Sequence, residues 1–391
     1  MRAMTVSIIV LFLDGSPWIE RCMDSLRRRV PASSAHEVIV LANGVAADVA
    51  LPVEVEENVR VLRSRVNLGF GGGGNWAARH ATGDYLVFLN DDATVEDGWL
   101  QGLVDAVESD QRVGAVGSVV LTPGGNIEEA GRVVWSDGVS HPIRSNLAQS
   151  KATVPLVREV DYCSGCSLLV RRTAWEAVGG FDDRYFPAYY EDADLSLGLR
   201  MRGWSVVCSS ASRVVHQRSM STPLPWRRFL GLRNHRVFVD KWPDAMKFFE
   251  RRPRDEPTRT ELEGAVRGAG KRRVALYHSF GMPSESEVQR ETPITAASAS
   301  APRLKPGTDE AALLEQEVLH LQAALRLKDE YIAHLKATAP QMEEALGRLL
   351  SEQRRRARRR ERLRRVPLLG ATASWFNRRR RSRDTQGSDQ H

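Results

Sequence analysis

The chain has 391 residues, 42% of them apolar, which supports a sizeable core but exceeds one typical domain. Its formal charge is +7, yet residues 353–383 hold fourteen arginines against one acid, Glu361, so the remainder is mildly acidic and the basic character belongs to one end. Four scattered cysteines exclude a disulfide framework and no apolar run approaches the roughly 18 residues of a membrane span, so a reducing cytoplasm is expected, with any membrane met from the surface.

Residues 5–13 read as a buried parallel strand, and Asp14-Gly15-Ser16-Pro17 turns the chain into a helix with apolar positions Ile19, Cys22, Met23 and Leu26. Val38–Ala42 and Val59–Arg63 are two further strands. This rhythm predicts an α/β domain with a mainly parallel sheet. Asn67-Leu-Gly-Phe-Gly-Gly-Gly-Gly-Asn75 then reads as a glycine-rich loop leading into a helix over 76–81. Gly69, Gly71 and Gly74 match a dinucleotide fingerprint in form only, because that motif follows the first strand of its unit. The loop is either a flexible turn or a place where backbone approaches a ligand.

The apolar run Tyr85–Leu89 ends in Asn90-Asp91-Asp92. Adjacent carboxylates at the end of a buried strand fit a cation site, since open α/β sheets bind ligands there; a solvated turn before a helix is the other reading. A helix over 100–107 and a strand over 113–121 follow. Residues 122–160 read as an irregular excursion, and 161–172 returns to strand. Cys163 and Cys166 form a lone C-x-x-C with too few partners for zinc, so packing is their expected role.

A second acidic group, Glu191-Asp192-Ala193-Asp194, opens a helix just after four aromatic residues. Acids favour helix N-termini through the dipole, but an aromatic-walled carboxylate is also a candidate general base. Val214-Val215 ends on His216, and a lone histidine is more often structural than a ligand. Residues 224–249 read as one or two helices.

From about residue 251 the composition shifts, and 283–307 is rich in Pro, Ser, Ala and Thr, as in a linker. Between 309 and 352 a heptad emerges: Leu314, Val318, Leu321, Leu325, Lys328, Ile332, Leu335, Ala339, Met342, Leu346 and Leu349. It predicts a coiled coil for self-association, or a helix docked on the body, with Pro340 as an interruption. The Arg-rich tail from 353 flanks an apolar stretch, Val366–Phe376. That pattern fits adsorption to anionic lipid, a solvated charge run, or nonspecific nucleic-acid binding.

Taken in order, Val6-Ser-Ile-Ile-Val10, Asn67-Leu-Gly-Phe-Gly71, Leu89-Asn-Asp-Asp92, Ser164-Gly-Cys-Ser-Leu-Leu-Val-Arg-Arg172, Gly179-Gly-Phe-Asp182, Tyr190-Glu-Asp-Ala-Asp194 and Val214-Val-His216 resemble glycosyltransferase family 2. The likeness covers roughly residues 4–245 and is strongest to the family's bacterial rhamnosyltransferase-like and galactofuranosyltransferase-like branch. It implies a GT-A fold, Rossmann-like with a mainly parallel central sheet and flanking helices, over residues 1–250. A linker over 251–308, a coiled-coil helix over 309–352 and a basic tail over 353–391 follow.

By this resemblance, Asp92 is a ligand for Mg²⁺ or Mn²⁺ and His216 completes the metal site. Asn90 and Asp91 stand near ribose and diphosphate, and Asn67, Gly69 and more distantly Asn75 lie beside a dTDP- or UDP-sugar. Asp192 matches the general base, with Glu191 and Asp194 as neighbours that compete for the role. The implied activity is sugar transfer with inversion to a cell-surface glycan or lipid-linked acceptor at the inner face of the plasma membrane, with no nucleic-acid partner. Two positions depart from the family: the first strand ends Phe12-Leu13, not in a polar pair, and the second carries Ala42 before Asn43, where an Asp contacts the base. Those departures motivate the alternative of a noncatalytic scaffold in a glycan-assembly complex.

Overall fold

The longest apolar runs of the chain converge on one sheet. A computed structural model describes residues 5–13, 16–46, 48–49, 51, 59–144, 157–217, 223–280 and 308–364. Strands β1 (Val6–Leu13), β2 (His36–Asn43), β3 (Val59–Ser64) and β4 (Tyr85–Asn90) lie parallel in the order β3-β2-β1-β4. Both faces of β1 and β4 are buried, which explains their unbroken apolar character. Helix α1 (Ile19–Arg29) buries Ile19, Cys22, Met23 and Leu26, the stripe its spacing predicts. Between β1 and β4 the strand order reverses direction, and a ligand crevice belongs at such a point.

Helix α2 (Gly69–His80) connects β3 to β4. The glycine-rich stretch is thus helical from Gly69 onward, not a loop. Each glycine costs about 1 kcal/mol relative to Ala in a helix, but packing overrides that cost here. A Cβ on Gly73 would lie 3.1 Å from the Asn43 amide, and one on Gly74 would lie 3.0 Å from Phe181.

Beyond β4 come β5 (Ala93–Val95), α3 (Trp99–Glu108), β6 (Val113–Leu121), and the three-residue strands β7 (Ile127–Glu129), β8 (Arg132–Val134), β9 (Ser140–Pro142) and β10 (Val157–Glu159). The described part of the excursion thus holds short strands, which carry no readable period. Next are β11 (Ser167–Arg171), α4 (Arg172–Val178), α5 (Glu191–Met201), β12 (Ser205–His216) and α6 (Leu224–Lys241). The main path of the ten-stranded sheet is β10-β12-β6-β11-β4-β1-β2-β3. It is mixed, not mainly parallel, because β11 runs antiparallel between β4 and β6. Among the described residues between β6 and β11 there is no crossover helix, consistent with the chain entering β11 from the opposite end.

Within the stretch expected as linker, α7 (Arg259–Arg267) and α8 (Ala269–Ser279) are ordered helices. Thr258 and Glu261 form a capping box for α7. Arg272 on α8 donates to both oxygens of Asp161 at 2.9 Å, and Arg273 pairs with Glu159 at 3.0 Å. Fully buried Arg200 joins the same network, 3.3 Å from Asp161. The anchoring acids lie more than 100 positions upstream, so local composition does not reveal them. The remainder of the expected linker, 281–307, and the tail from 365 lie outside the described residues.

Residues up to 326 form one compact unit and those from 327 a second. Helix α9 (Thr308–Arg364) begins in the first and passes Pro340 without ending there. In the first unit it is docked through Gln316, Glu317 and His320, all buried, which is the arrangement held open beside self-association. Leu314, Val318, Leu321 and Leu325 face solvent, so the single chain supplies no coiled-coil partner for them among the described residues. No described helix is long and apolar enough to cross a membrane.

Candidate active site

The carboxyl ends of β1 and β4 meet at the switch point. Asn90 is the last residue of β4, paired with Leu11 of β1, and the Leu13 N–H donates to Asp91 Oδ2 at 3.4 Å. Asp92 follows, 6% exposed, with its Oδ1 3.2 Å from His216 Nε2. His216 ends β12, where it pairs with Ala93, and the Gln217 N–H donates to the Asp92 carbonyl. Two chain segments 124 positions apart in number thereby hold one carboxylate against one imidazole. Burial and then repulsion from Asp92, against hydrogen bonds from Ser16 and Leu13, push the Asp91 carboxyl up to about 6. Burial disfavours a charged His216 ring, but Cys166 and Asp92 outweigh it and raise its pKa.

The second acidic group stands at the N-terminus of α5. Asp192 Oδ2 accepts from the Gly165 N–H at 3.2 Å, and its Oδ1 accepts from the Ala193 N–H at 2.8 Å. The Cys166 carbonyl in turn accepts from the Asn90 N–H at 3.0 Å. The turn before β11 therefore joins both acidic motifs. Burial raises Asp192, while these N–H bonds and the charge of Arg132 oppose the rise. Glu191 points inward, buried, and its Oε2 has no hydrogen-bond partner among the described residues; burial and the neighbouring Asp192 raise it well above the usual range. Asp194 is occupied: its oxygens take Tyr185 OH at 2.9 Å, Lys241 Nζ at 2.7 Å and Trp242 Nε1 at 2.7 Å. Of the three acids, Asp192 keeps the most open position.

A backbone device presents this group. Tyr189 and Tyr190 adopt φ of 80° and 77°, a left-handed conformation that costs a non-glycine residue on the order of 1–2 kcal/mol. Buried Asn234 on α6 offsets the cost, its Nδ2 lying within 3.0 Å of the carbonyls of Tyr185, Ala188 and Tyr189. Nothing local in the sequence signals this role.

The turn before α2 lies beside the end of β2. Asn43 Oδ1 accepts from the Leu68 N–H at 2.7 Å and its Nδ2 donates to the Gly69 carbonyl at 3.0 Å. Asn67 Oδ1 accepts from the Gly69 N–H at 2.8 Å. Gly69 has a φ of 70°, and a Cβ there would come 2.6 Å from the Pro187 carbonyl, so no other residue fits. The Phe70 N–H donates to that same carbonyl at 2.7 Å, tying the turn to the loop that leads to Asp192. Asn75 sits further along α2 with its amide spent on Phe181, donating to the carbonyl and accepting from the N–H, both at 2.9 Å. It braces α2 against the 181 loop. The structure thus gathers Asn90, Asp91, Asp92, His216 and Asp192, places Asn67 and Gly69 in the adjoining turn, and turns Asn75 and Glu191 to internal contacts.

All four cysteines are buried and unpaired, as packing requires. Gly117 and Cys163 pack so closely that any Cβ on Gly117 would collide with the thiol.

A twisted α/β sheet with acids at its switch point, a histidine from a distant strand and a carboxylate at a facing helix start defines a GT-A-like fold. Residues 7–179 match the model of glycosyl transferase family 2. It is 32% identical over 226 residues to the O-antigen biosynthesis protein RfbC of Myxococcus xanthus, a match covering 55% of this chain and 17% of that protein. It is 29% identical over 239 residues to an N-acetylglucosaminyl-diphospho-decaprenol L-rhamnosyltransferase of Mycobacterium tuberculosis, covering 55% of this chain and 76% of the relative. The fold aligns with the crystal structure of GalNAc-T7 with UDP, GalNAc and Mn²⁺ at a TM-score of 0.52 and 17% identity, over 74% of this chain and 59% of that one.

Proposed function

We propose that the protein is an inverting, metal-dependent glycosyltransferase that moves a sugar from a dTDP- or UDP-sugar to a hydroxyl of a cell-surface glycan or lipid-linked acceptor. The carrying observation is the tether of Asp192 and Asn90 to adjacent residues of one turn, Gly165 and Cys166. That tether links the base candidate to the acidic motif read as the phosphate side, which supports a shared site for in-line displacement.

Asp192 takes the proton of the acceptor hydroxyl. The oxygen then bonds to the anomeric carbon from the face opposite the nucleotide, and the bond from that carbon to the diphosphate oxygen breaks, leaving a nucleoside diphosphate and an inverted glycoside. Two N–H donors to Asp192 hold it in register and favour its ionised form, while burial keeps its basicity above that of an ordinary carboxylate. Glu191 faces inward and Asp194 is ion-paired with Lys241, which favours Asp192 as the base over both.

One carboxylate and one imidazole, Asp92 and His216, fit a Mg²⁺ or Mn²⁺ ion that keeps most of its positions for phosphate and water. Among the described residues no third His, Cys, Asp or Glu completes a ligand group. When bound, the ion offsets charge developing on the leaving diphosphate. Asn67 and Gly69, with Asn90 and Asp91, form the nucleotide-sugar side, and Asn75 acts by bracing α2.

The relative named as acting on a diphospho-decaprenol acceptor, with the basic tail, supports a lipid-linked acceptor at the cytoplasmic face of the membrane. Incubation with a panel of nucleotide sugars and Mn²⁺ tests the reading. Transfer or hydrolysis with one donor, lost in Asp192→Asn, is expected. Inactivity with every donor, or an unaffected Asp192→Asn, overturns it. A noncatalytic scaffold is the second reading, favoured by Leu13, an exposed apolar residue at the end of β1, and by Ala42. It predicts no Mn²⁺-dependent thermal shift with UDP or dTDP.

A further inference from the structure

Three buried side chains on adjacent turns of α9, Gln316, Glu317 and His320, reach the turn and the loop that flank the candidate site, all within the first compact unit. Glu317 is 5% exposed, and its Oε1 accepts both from Ser64 Oγ at 3.0 Å and from the Arg65 N–H at 2.7 Å. Ser64 ends β3, where its carbonyl accepts from the Gly44 N–H at 3.0 Å, and Arg65 opens the turn that carries Asn67 and Gly69. Gln316 Oε1 accepts from Arg79 Nη1 of α2 at 3.4 Å. One turn further on, the His320 ring lies edge-on to Phe186 with centroids 5.4 Å apart, and its Nδ1 is 2.8 Å from the Gln316 carbonyl. Gly72 is the seat of that ring, since a Cβ there would collide with His320.

These contacts bear on both sides of the site. Phe186 precedes Pro187, whose carbonyl takes the Phe70 N–H, and the same loop runs on to Tyr189, Tyr190 and Asp192. Between Ser64 and Gly69 no helix or strand fixes the backbone, and Arg65 and Asn67 are exposed. A turn that must be ordered when its ligand arrives loses affinity by the entropy of ordering, and one already held in place does not. One acceptor oxygen fed by a hydroxyl and a backbone N–H is such a hold, and it comes from a helix more than 250 positions downstream.

We propose that Glu317 is a positioning residue for the nucleotide-sugar side of the site: through Ser64 and Arg65 it keeps the Asn67–Gly69 turn in its binding conformation, with His320, seated on Gly72 and Phe186, anchoring α9 beside it. That role rests on the proposed function, since it requires a nucleotide beside Asn67.

Calorimetry on the full chain with Mn²⁺ and UDP or dTDP tests it. Glu317→Ala should weaken nucleotide binding about tenfold, whereas Glu317→Gln, which keeps an acceptor oxygen at the same reach, should stay within about threefold of the wild type. In transfer assays the loss in Glu317→Ala should fall on the donor KM, with kcat kept within about threefold, the pattern of an interaction equal in ground and transition states. Hydrogen exchange without nucleotide supplies a ligand-free readout: amides 65–70 should lose protection in Glu317→Ala while those of β1 and β4 keep theirs. Nucleotide binding as tight in Glu317→Ala as in the wild type, a Gln variant as weak as the Ala variant, a fall in kcat at unchanged KM, unchanged exchange at 65–70, or loss of protection throughout the sheet overturns the inference and leaves the proposed function standing. A wild type that binds neither nucleotide overturns the proposed function and this role with it.

Discussion

Gly165 donates its backbone N–H to Asp192 at 3.2 Å, and the residue after it accepts from Asn90. The turn before β11 therefore bridges the two acidic motifs. Asp192→Asn should lower kcat by about 10²–10⁴-fold, the usual worth of a positioned base. Nucleotide binding, measured by calorimetry, should change little. Glu191→Gln replaces a buried acid whose pKa burial raises well above the usual range, so it should fold and bind nucleotide as the wild type does.

The pH profile follows from the same residue. On the proposed mechanism Asp192 works ionised, and its pKa is raised, chiefly by burial, so activity should be lost as pH falls through a value above the ordinary carboxylate range. A kcat/KM profile from pH 4 to 8 with Mn²⁺ saturating measures the acid limb. A limb at the ordinary aspartate value would argue against Asp192 as the base.

Chelation should abolish transfer, with Mn²⁺ or Mg²⁺ restoring it. Asp92→Asn and His216→Ala should each reduce kcat by more than about 100-fold, as expected for loss of charge stabilisation at a leaving group. Both should also remove any Mn²⁺-dependent thermal shift with UDP or dTDP.

Asn234 holds two residues of positive φ immediately before Glu191. Asn234→Ala frees buried carbonyls, which should cost about 1–3 kcal/mol of stability. It should also depress kcat more than the donor KM, because on the proposed mechanism Asp192 loses its orientation while the turn at Asn67 and Gly69 is intact. Urea denaturation and steady-state kinetics separate the two effects.

Lys241 lies 2.7 Å from both Asp182 and Asp194. Lys241→Met leaves Asp194 buried without its counter-charge and should cost about 3–5 kcal/mol. In the wild type, Asp182 is partly buried, which raises its pKa, but hydrogen bonds from Arg184 and Lys241 outweigh that and lower it. Its contribution is therefore fully present above the unfolded aspartate pKa and is lost as pH falls through the folded one. Acid unfolding followed by circular dichroism should show wild-type stability converging toward that of the variant at low pH.

Much of the site was legible because the relevant signals are local. Tyr85–Asp92 announces a buried strand ending in acids, Ile19 to Leu26 an amphipathic helix, and Leu314 to Leu349 a heptad, each from the spacing of neighbouring residues. Where partners are distant in sequence the reading fails. The glycines at 71–74 look like a loop until Asn43, Phe181 and His320 are seen filling the space beside them. Residues 259–279 look like a linker until Arg272 meets Asp161.

By itself, then, the sequence determined which segments are apolar and periodic, and placed acids at the ends of two of them. Tertiary structure alone decided which acids are available. Asp194 is neutralised by Lys241, Glu191 is turned inward, Asp192 is held by Gly165, and Asp92 is set against His216. The reason is that a carboxylate's chemistry depends on its solvation and on the charges within a few ångströms of it, and in this chain those neighbours come from strands and helices far away in sequence.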